Sequence, residues 1–206
     1  MNPIVASSID ACVFAAVSWL GALAGTALCA GRVPHDDGPS PVTFARWPFP
    51  VAGGAIGLML AAHADSPGRL AVLAFAVLGL AGCTAADLTC GMLPDLLTLA
   101  PLALAIGSGL LAHDLTPALG AAFVALPFAG AALFSRGRGM GWGDVKLAAL
   151  GGALLGARDA TLAFVLAAIV AYVVTRRTGR ARTPIAFGPY LAGSIVVTLA
   201  TVARGV

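Results

Sequence analysis

Long apolar runs, broken by short polar stretches, cover most of this 206-residue chain. A helix needs roughly 17–25 mostly apolar residues to cross a bilayer. The pattern predicts helices near residues 10–31, 48–64, 69–87, 94–112, 116–135, 144–157, 159–175 and 187–204. We therefore expect an all-α, polytopic transmembrane bundle of about eight spanning helices, forming one domain over residues 1–206.

The composition agrees with a membrane protein. Hydrophobic residues make up 59% of the chain and charged residues 10%, whereas ordinary soluble domains carry about 25% charged residues. The basic residues lie in short loops rather than on one long face, so no nucleic-acid partner is expected. The four cysteines form no CxxC pair, and we predict neither a metal site nor a cofactor. His35 with Asp36 and Asp37 is interpreted as a solvated loop cluster.

Basic residues concentrate in alternate loops, which predicts the orientation. With the N-terminus outside, the inner loops carry Arg32, Arg46, Arg136, Arg138, Lys146, Arg176, Arg177, Arg180 and Arg182, and the outer loops carry Arg69, Arg158 and Arg204. Cytoplasmic loops are enriched in Lys and Arg. The first predicted helix has no basic residue before it, so we expect it to be retained rather than cleaved as a signal peptide. Asp87, Asp95 and Asp144 then all face the cytoplasm.

Two aspartates at the edges of apolar runs are the first candidates for chemistry. Asp87 ends one run, and Asp144 begins another directly after Gly141 and Gly143. An ionisable residue at a membrane helix is a functional-site hypothesis by default. We expect the glycines to allow unusual turns and a close approach of another segment. Two neighbouring carboxyls share a proton, and such a pair can activate water while protonating a carbonyl.

Three short segments carry a resemblance to a known family. Residues 87–99 read DLTCGMLPDLLTL, residues 141–147 read GWGDVKL, and residues 186–191 read AFGPYL. In this order they resemble the motifs of the prepilin peptidases, the type IV leader peptidase family of GxGD aspartic proteases. The resemblance covers roughly residues 65–206.

The resemblance implies a membrane-embedded aspartic endopeptidase with Asp87 and Asp144 as the catalytic pair. Its substrates would be type IV prepilin or pseudopilin precursors, whose basic leader is cleaved at the cytoplasmic face of the bacterial inner membrane. Supporting or substrate-contacting roles are implied for Pro94, Asp95, Gly141, Gly143, Lys146, Gly188 and Pro189. Residues 32–47 form a short loop where full-length relatives hold a domain with paired CxxC motifs. The resemblance thus implies peptide cleavage without implying N-methylation.

Other interpretations of the same residues remain open at this point. Asp144 and Asp95 could cap the helices that follow them, since Asp is a favoured N-cap residue. A small transporter could use Asp87 and Asp144 to carry protons or cations. It would place acids near the midplane and often shows an internal repeat, whereas these acids lie at helix ends. A third possibility is a noncatalytic assembly factor of a pilus or secretion system.

Overall fold

The computed structural model describes residues 3–30, 46–61, 66–134, 140–177 and 186–202. Within these ranges the regular structure is entirely helical. The helices are α1 (Pro3–Cys29), α2 (Pro48–Ala61), α3 (Pro67–Cys90), α4 (Asp95–Leu111), α5 (Thr116–Phe134), α6 (Trp142–Arg177) and α7 (Gly188–Val202). The predicted all-α class is therefore confirmed.

The expectation of eight spanning helices was wrong. The described ranges hold seven helical elements, and α6 contains the sixth and seventh predicted segments on the two sides of a break at Gly156. Four of these helices, α1, α3, α5 and α6, are long and apolar enough to cross a membrane. Helices α2, α4 and α7 have 14, 17 and 15 residues, and the shortest of them reaches only about 21 Å at 1.5 Å per residue. The outward N-terminus stays a prediction.

Helix α6 folds back on itself at Gly156. The φ and ψ of Gly156 are 78° and 168°, which is not helical, and only glycine adopts this region readily. A Cβ placed on Gly151 would overlap the ring of Phe164. Residues that far apart in a straight helix would be separated by about 20 Å. The two halves of α6 therefore pack beside each other, which is why the apolar pattern predicted two segments here.

Glycines bring several helix backbones into direct contact. Cβ atoms placed on Gly21 and Gly25 of α1 would overlap carbonyl oxygens of α3, those of Leu78 and Gly82. Small residues at such crossings let membrane helices approach closely and gain packing contacts. The consequence for the site is that the end of α1 is held firmly against the end of α3.

The buried core lies between the helices, and large apolar side chains also cover the outside. Phe14, Leu80, Leu147, Leu191 and Ile195 are almost completely buried and belong to one cluster. The outward faces of α5 and of the second half of α6 expose large side chains, including Phe123, Leu126, Leu162 and Leu166. So many exposed large apolar side chains are unusual for a soluble monomer and suit a lipid environment.

Several chain segments meet at one end of the bundle, which we call the acidic end. It comprises the last turns of α1 and α3, the connection formed by residues 91–94, and the first turns of α4, α6 and α7. Three links hold these segments together: a Cys29–Cys90 disulfide, an Asp95–Lys146 ion pair and a Gly188–Asp87 hydrogen bond. The segments that carry the three sequence motifs are thereby neighbours in space.

Candidate active site

Asp87 is a buried carboxylic acid in the last turn of α3. Asp87 is 6% exposed to solvent. Its Oδ2 accepts a hydrogen bond of 2.9 Å from the backbone N–H of Gly188. Gly188 begins α7, and the free N–H groups at a helix start favour an acidic partner. The start of α7 therefore holds Asp87 by a neutral backbone donor.

The close fit between α7 and Asp87 depends on glycine. A Cβ placed on Gly188 would lie 2.7 Å from Oδ2 of Asp87 and 3.2 Å from its Cγ. Any other residue at position 188 would displace the carboxyl or lengthen the hydrogen bond. Pro189 follows in the first turn of α7, where a missing N–H leaves no helical bond unmade.

Asp144 approaches Asp87 from the first turn of α6. It is partly buried, and its backbone N–H donates to the carbonyl of Gly141 at 3.2 Å. The carboxyls of Asp87 and Asp144 are close enough to interact electrostatically. The structure thus brings together the two acids that the sequence singled out, and it places both at the same end of the bundle.

Leu93 joins the three motif segments, and sequence reasoning did not single it out. A Cβ on Gly143 would lie 2.7 Å from the Cβ of Leu93, and a Cβ on Gly188 would lie 3.2 Å from its Cδ2. Leu93 is therefore wedged between the starts of α6 and α7. Its place directly before Pro94-Asp95, inside a motif segment, was the one available signal.

The two motif glycines before Asp144 differ in what they do. Gly143 allows the close approach that was expected, because Leu93 occupies the space of its missing side chain. A Cβ on Gly141 would meet Oδ2 of Asp144 at an ordinary 3.7 Å. Neither glycine has a positive φ, so the expected unusual turn is not found at positions 141 and 143. Gly139 lies outside the described residues.

A profile of the type IV leader peptidase family matches residues 71–175 of this chain. The chain belongs to the type IV leader peptidase family. The matched region contains Asp87, Asp95 and Asp144 and stops before Gly188. No curated protein and no solved structure matches the chain. Family membership indicates a membrane peptidase, and the long apolar helices agree with it.

Asp95 and Lys146 form an ion pair on the rim of this candidate site. Nζ of Lys146 lies 2.5 Å from Oδ1 of Asp95, and the two side chains are 30% and 63% exposed. Asp95 is the first residue of α4, while buried Pro94 holds the N-cap position and provides no side-chain cap bond. Asp95 is therefore not the N-cap. Its side chain instead ties the start of α4 to the start of α6.

A disulfide between Cys29 and Cys90 joins α1 to α3 beside Asp87. The sequence analysis did not predict this disulfide, because 61 positions separate the two cysteines. The glycine contacts of α1 with α3 bring the two helix ends together. Cys12 and Cys83 remain free thiols, the first exposed and the second buried.

Some sequence predictions fall on residues that are not described. The loop at 32–47 is described only at Arg46 and Trp47, and the His35, Asp36 and Asp37 cluster lies outside the described ranges. Arg136, Arg138, Arg180, Arg182 and Arg204 lie outside them as well. Among the residues that are described, no group of three His, Cys, Asp or Glu side chains is arranged to hold a metal ion.

Proposed function

We propose that this protein is an aspartic endopeptidase in which Asp87 and Asp144 form the catalytic pair. The observation that carries the proposal is the meeting of these two carboxyls at the acidic end, with Asp87 buried and held by Gly188. A buried acid is costly to keep charged, and among the described residues the neighbouring charge of Asp87 is a second acid, Asp144. Such an arrangement is characteristic of functional sites rather than of structural ion pairs.

The proposed reaction uses one proton shared between the two acids. The ionised carboxyl accepts a proton from water as the water attacks the scissile carbonyl carbon. The protonated carboxyl gives its proton to the carbonyl oxygen, and a tetrahedral diol forms. When the diol collapses, the C–N bond breaks and the leaving nitrogen takes up a proton from the pair. The Gly188 N–H orients the Asp87 carboxyl throughout.

We further propose that the substrate is a type IV prepilin or pseudopilin precursor with a short basic leader and an apolar helix. The family membership supports a peptide substrate. The position of the acids at helix ends suits cleavage at the junction between a polar leader and a membrane helix. Loop charges favour the cytoplasmic face of the bacterial inner membrane, and the proposed chemistry uses no cofactor.

Processing of a precursor tests the proposal directly. The purified protein is mixed with a prepilin-like precursor, and loss of the leader is followed by mass spectrometry. We expect cleavage by the natural protein and none by Asp87→Asn or Asp144→Asn. Asp114→Asn is the matched control, because Asp114 lies between α4 and α5 and accepts a hydrogen bond from the Thr116 N–H that an asparagine can also accept. Cleavage by both site variants would refute the proposal.

A further inference from the structure

The side chain of Leu93 contacts two motif segments at once, through different methyl groups. A Cβ placed on Gly143 would lie 2.9 Å from Cδ1 of Leu93, and a Cβ placed on Gly188 would lie 3.2 Å from its Cδ2. Carbon atoms pack best at about 3.5–4.0 Å, so neither glycine has room for a side chain beside the leucine. The forked end of Leu93 therefore lies between the start of α6 and the start of α7.

Each of these two glycines is directly joined to one of the acids. Gly143 precedes Asp144 in the chain, and the backbone N–H of Gly188 donates to the carboxyl of Asp87 at 2.9 Å. A displacement of either glycine would therefore move one carboxyl relative to the other. The size and shape of the side chain at position 93 thus act on the separation of the two acids.

The backbone of Leu93 is fixed on both sides. Gly91 ends α3 in the left-handed region, with φ and ψ of 63° and 25°, and its N–H donates to the carbonyl of Asp87 at 3.0 Å. Pro94 follows Leu93 and is buried, and a residue before proline is restricted to extended backbone. Leu93 itself is half-buried and packs against the main core cluster. A change in its side chain is therefore expected to move the neighbouring helix starts.

We propose that Leu93 is a positioning residue for the acid pair, and that its two methyl groups fix the separation of the Asp87 and Asp144 carboxyls. The proposal rests on the proposed function, since it assigns the spacing to the pair that performs cleavage. Two carboxyls titrate as a unit only when they are close, because their interaction falls with distance. An apolar spacer suits this task, since it adds neither a charge nor a competing hydrogen bond beside the acids.

Moving the branch point of the side chain tests the spacer. Leu93→Ile keeps the number of carbon atoms, and volume-conserving swaps are tolerated best in packed interiors, but the fork moves from Cγ to Cβ. We expect kcat to fall by about tenfold with little change in KM, because a small misplacement of reacting groups acts on the chemical step.

Leu73→Ile is the matched control for that substitution. Leu73 is also a half-buried leucine packed against the main core cluster, and it lies 14 positions before Asp87 on α3, about 21 Å along the helix. Its kcat should stay close to that of the natural protein. Equal kcat values for Leu93→Ile and Leu73→Ile, or an effect of Leu93→Ile on KM alone, would contradict the positioning role.

Coupling between Leu93 and Gly143 gives an independent check. Gly143→Ala adds a methyl group that presses on Leu93, whereas Leu93→Ala removes Cγ and both methyl groups. The loss of cleavage caused by Gly143→Ala should therefore be smaller in the Leu93→Ala background than in the natural protein, because neighbouring substitutions couple and distant ones add. In the Leu73→Ala background the loss should be unchanged. Losses that multiply in both backgrounds would show that Leu93 does not press on the start of α6.

Titration of the acids without substrate separates this proposal from the proposed function. The infrared absorption of protonated carboxyls is followed against pH in the natural protein, and Asp87→Asn and Asp144→Asn assign the bands. We expect Leu93→Ile to move the two titration steps relative to each other by about 0.5 pH units or more, because the repulsion between two carboxyls depends on their separation. Leu73→Ile should leave both steps in place.

The outcomes of this titration are distinct. The ion pair of Asp95 with Lys146 is retained in the variants at positions 93 and 73, so it does not account for a difference between them. A shift in Leu93→Ile, together with no cleavage by the natural protein, would defeat the proposed function and leave the positioning role standing. Titration steps that are unchanged in Leu93→Ile would overturn the positioning role even if cleavage occurs.

Discussion

The two aspartates at either end of the α3–α4 connection have opposite surroundings. Asp87 is 6% exposed and is held by the backbone N–H of Gly188, with another acid, Asp144, as the neighbouring charge. The Asp95 side chain is 63% exposed and paired with Lys146. An exposed pair contributes only about 0–1 kcal/mol, whereas burial of a carboxylate beside a second acid is costly. The proposed function accordingly assigns chemistry to Asp87 and positioning to Asp95.

Substitution of Gly188, which contacts buried Asp87, should lower the cleavage rate more than substitution of the motif glycines or of Asp95. A methyl group at Gly188→Ala would collide with the Asp87 carboxyl and turn it away from Asp144. We expect the cleavage rate to fall by about 100-fold, the scale at which a small misplacement acts on catalysis. Initial rates from a leader-release assay measure the loss.

Gly193→Ala is the matched control for that prediction. Gly193 lies on the same helix, α7, and a Cβ there would meet nothing within 4 Å. Its rate should stay within about twofold of the natural protein, because replacing a helical glycine by alanine changes stability by only about 1 kcal/mol. Equal rates for Gly188→Ala and Gly193→Ala would show that the fit around Asp87 is irrelevant to activity.

Substitution of the two motif glycines, Gly141 and Gly143, should lower the cleavage rate less than substitution of Gly188. Gly143→Ala would push against Leu93 and shift the start of α6, whereas Gly141→Ala meets Oδ2 of Asp144 at an ordinary distance. We expect about a tenfold loss of cleavage for Gly143→Ala, because overpacking typically costs about 1–3 kcal/mol. The loss for Gly141→Ala should be smaller. Rates that fall in the reverse order would contradict the assigned role of Leu93.

The smallest effect is expected at the exposed pair. Asp95→Asn should lower cleavage by less than about fivefold, since such a pair contributes up to about 1 kcal/mol. The double exchange Asp95→Lys with Lys146→Asp restores opposite charges and should recover part of that loss. A loss at Asp95 comparable with that at Asp87 would remove the distinction between the two acids.

The bridge at the acidic end also makes the orientation testable. Thiols are kept reduced in the cytosol, so an inward-facing site would hold Cys29 and Cys90 as thiols in living cells. In a background lacking Cys12 and Cys83, a membrane-permeant maleimide should label both residues, and an impermeant one should label neither. Labelling by the impermeant reagent, or protection from both reagents, would refute the predicted cytoplasmic face.

Local patterns in the sequence predicted most of the helices. Apolar runs predicted all seven helices, and the break at Gly156 lies one residue before the end of the predicted segment 144–157. The number of spanning helices was not predictable in the same way, because α2, α4 and α7 have only 14, 17 and 15 residues and are shorter than the apolar runs that predicted them. The fold class therefore followed from hydropathy, while the number of spanning helices depended on where each helix begins and ends.

The sequence predicted the two acids of the candidate site but not the contacts that hold them. Asp87 and Asp144 stood out because charges at apolar runs are rare. The Gly188 contact joins residues 101 positions apart, and the Cys29–Cys90 bridge spans 61. Contacts between such distant residues depend on the tertiary fold. Neither the spacing of apolar residues nor the residue types at these positions predict them. Leu93 escaped notice because an apolar residue in an apolar chain carries no chemical signal of its own.

The most direct test asks whether Asp87 and Asp144 act as one unit. Cleavage rates are measured for Asp87→Asn, Asp144→Asn and the double variant, with folding checked by thermal unfolding of each. Residues that act together show strongly non-additive losses. We predict that each single variant loses at least about 10³-fold and that the double variant loses no more than either. Independent, multiplying losses, or a single variant that keeps substantial activity, would contradict the shared-proton pair.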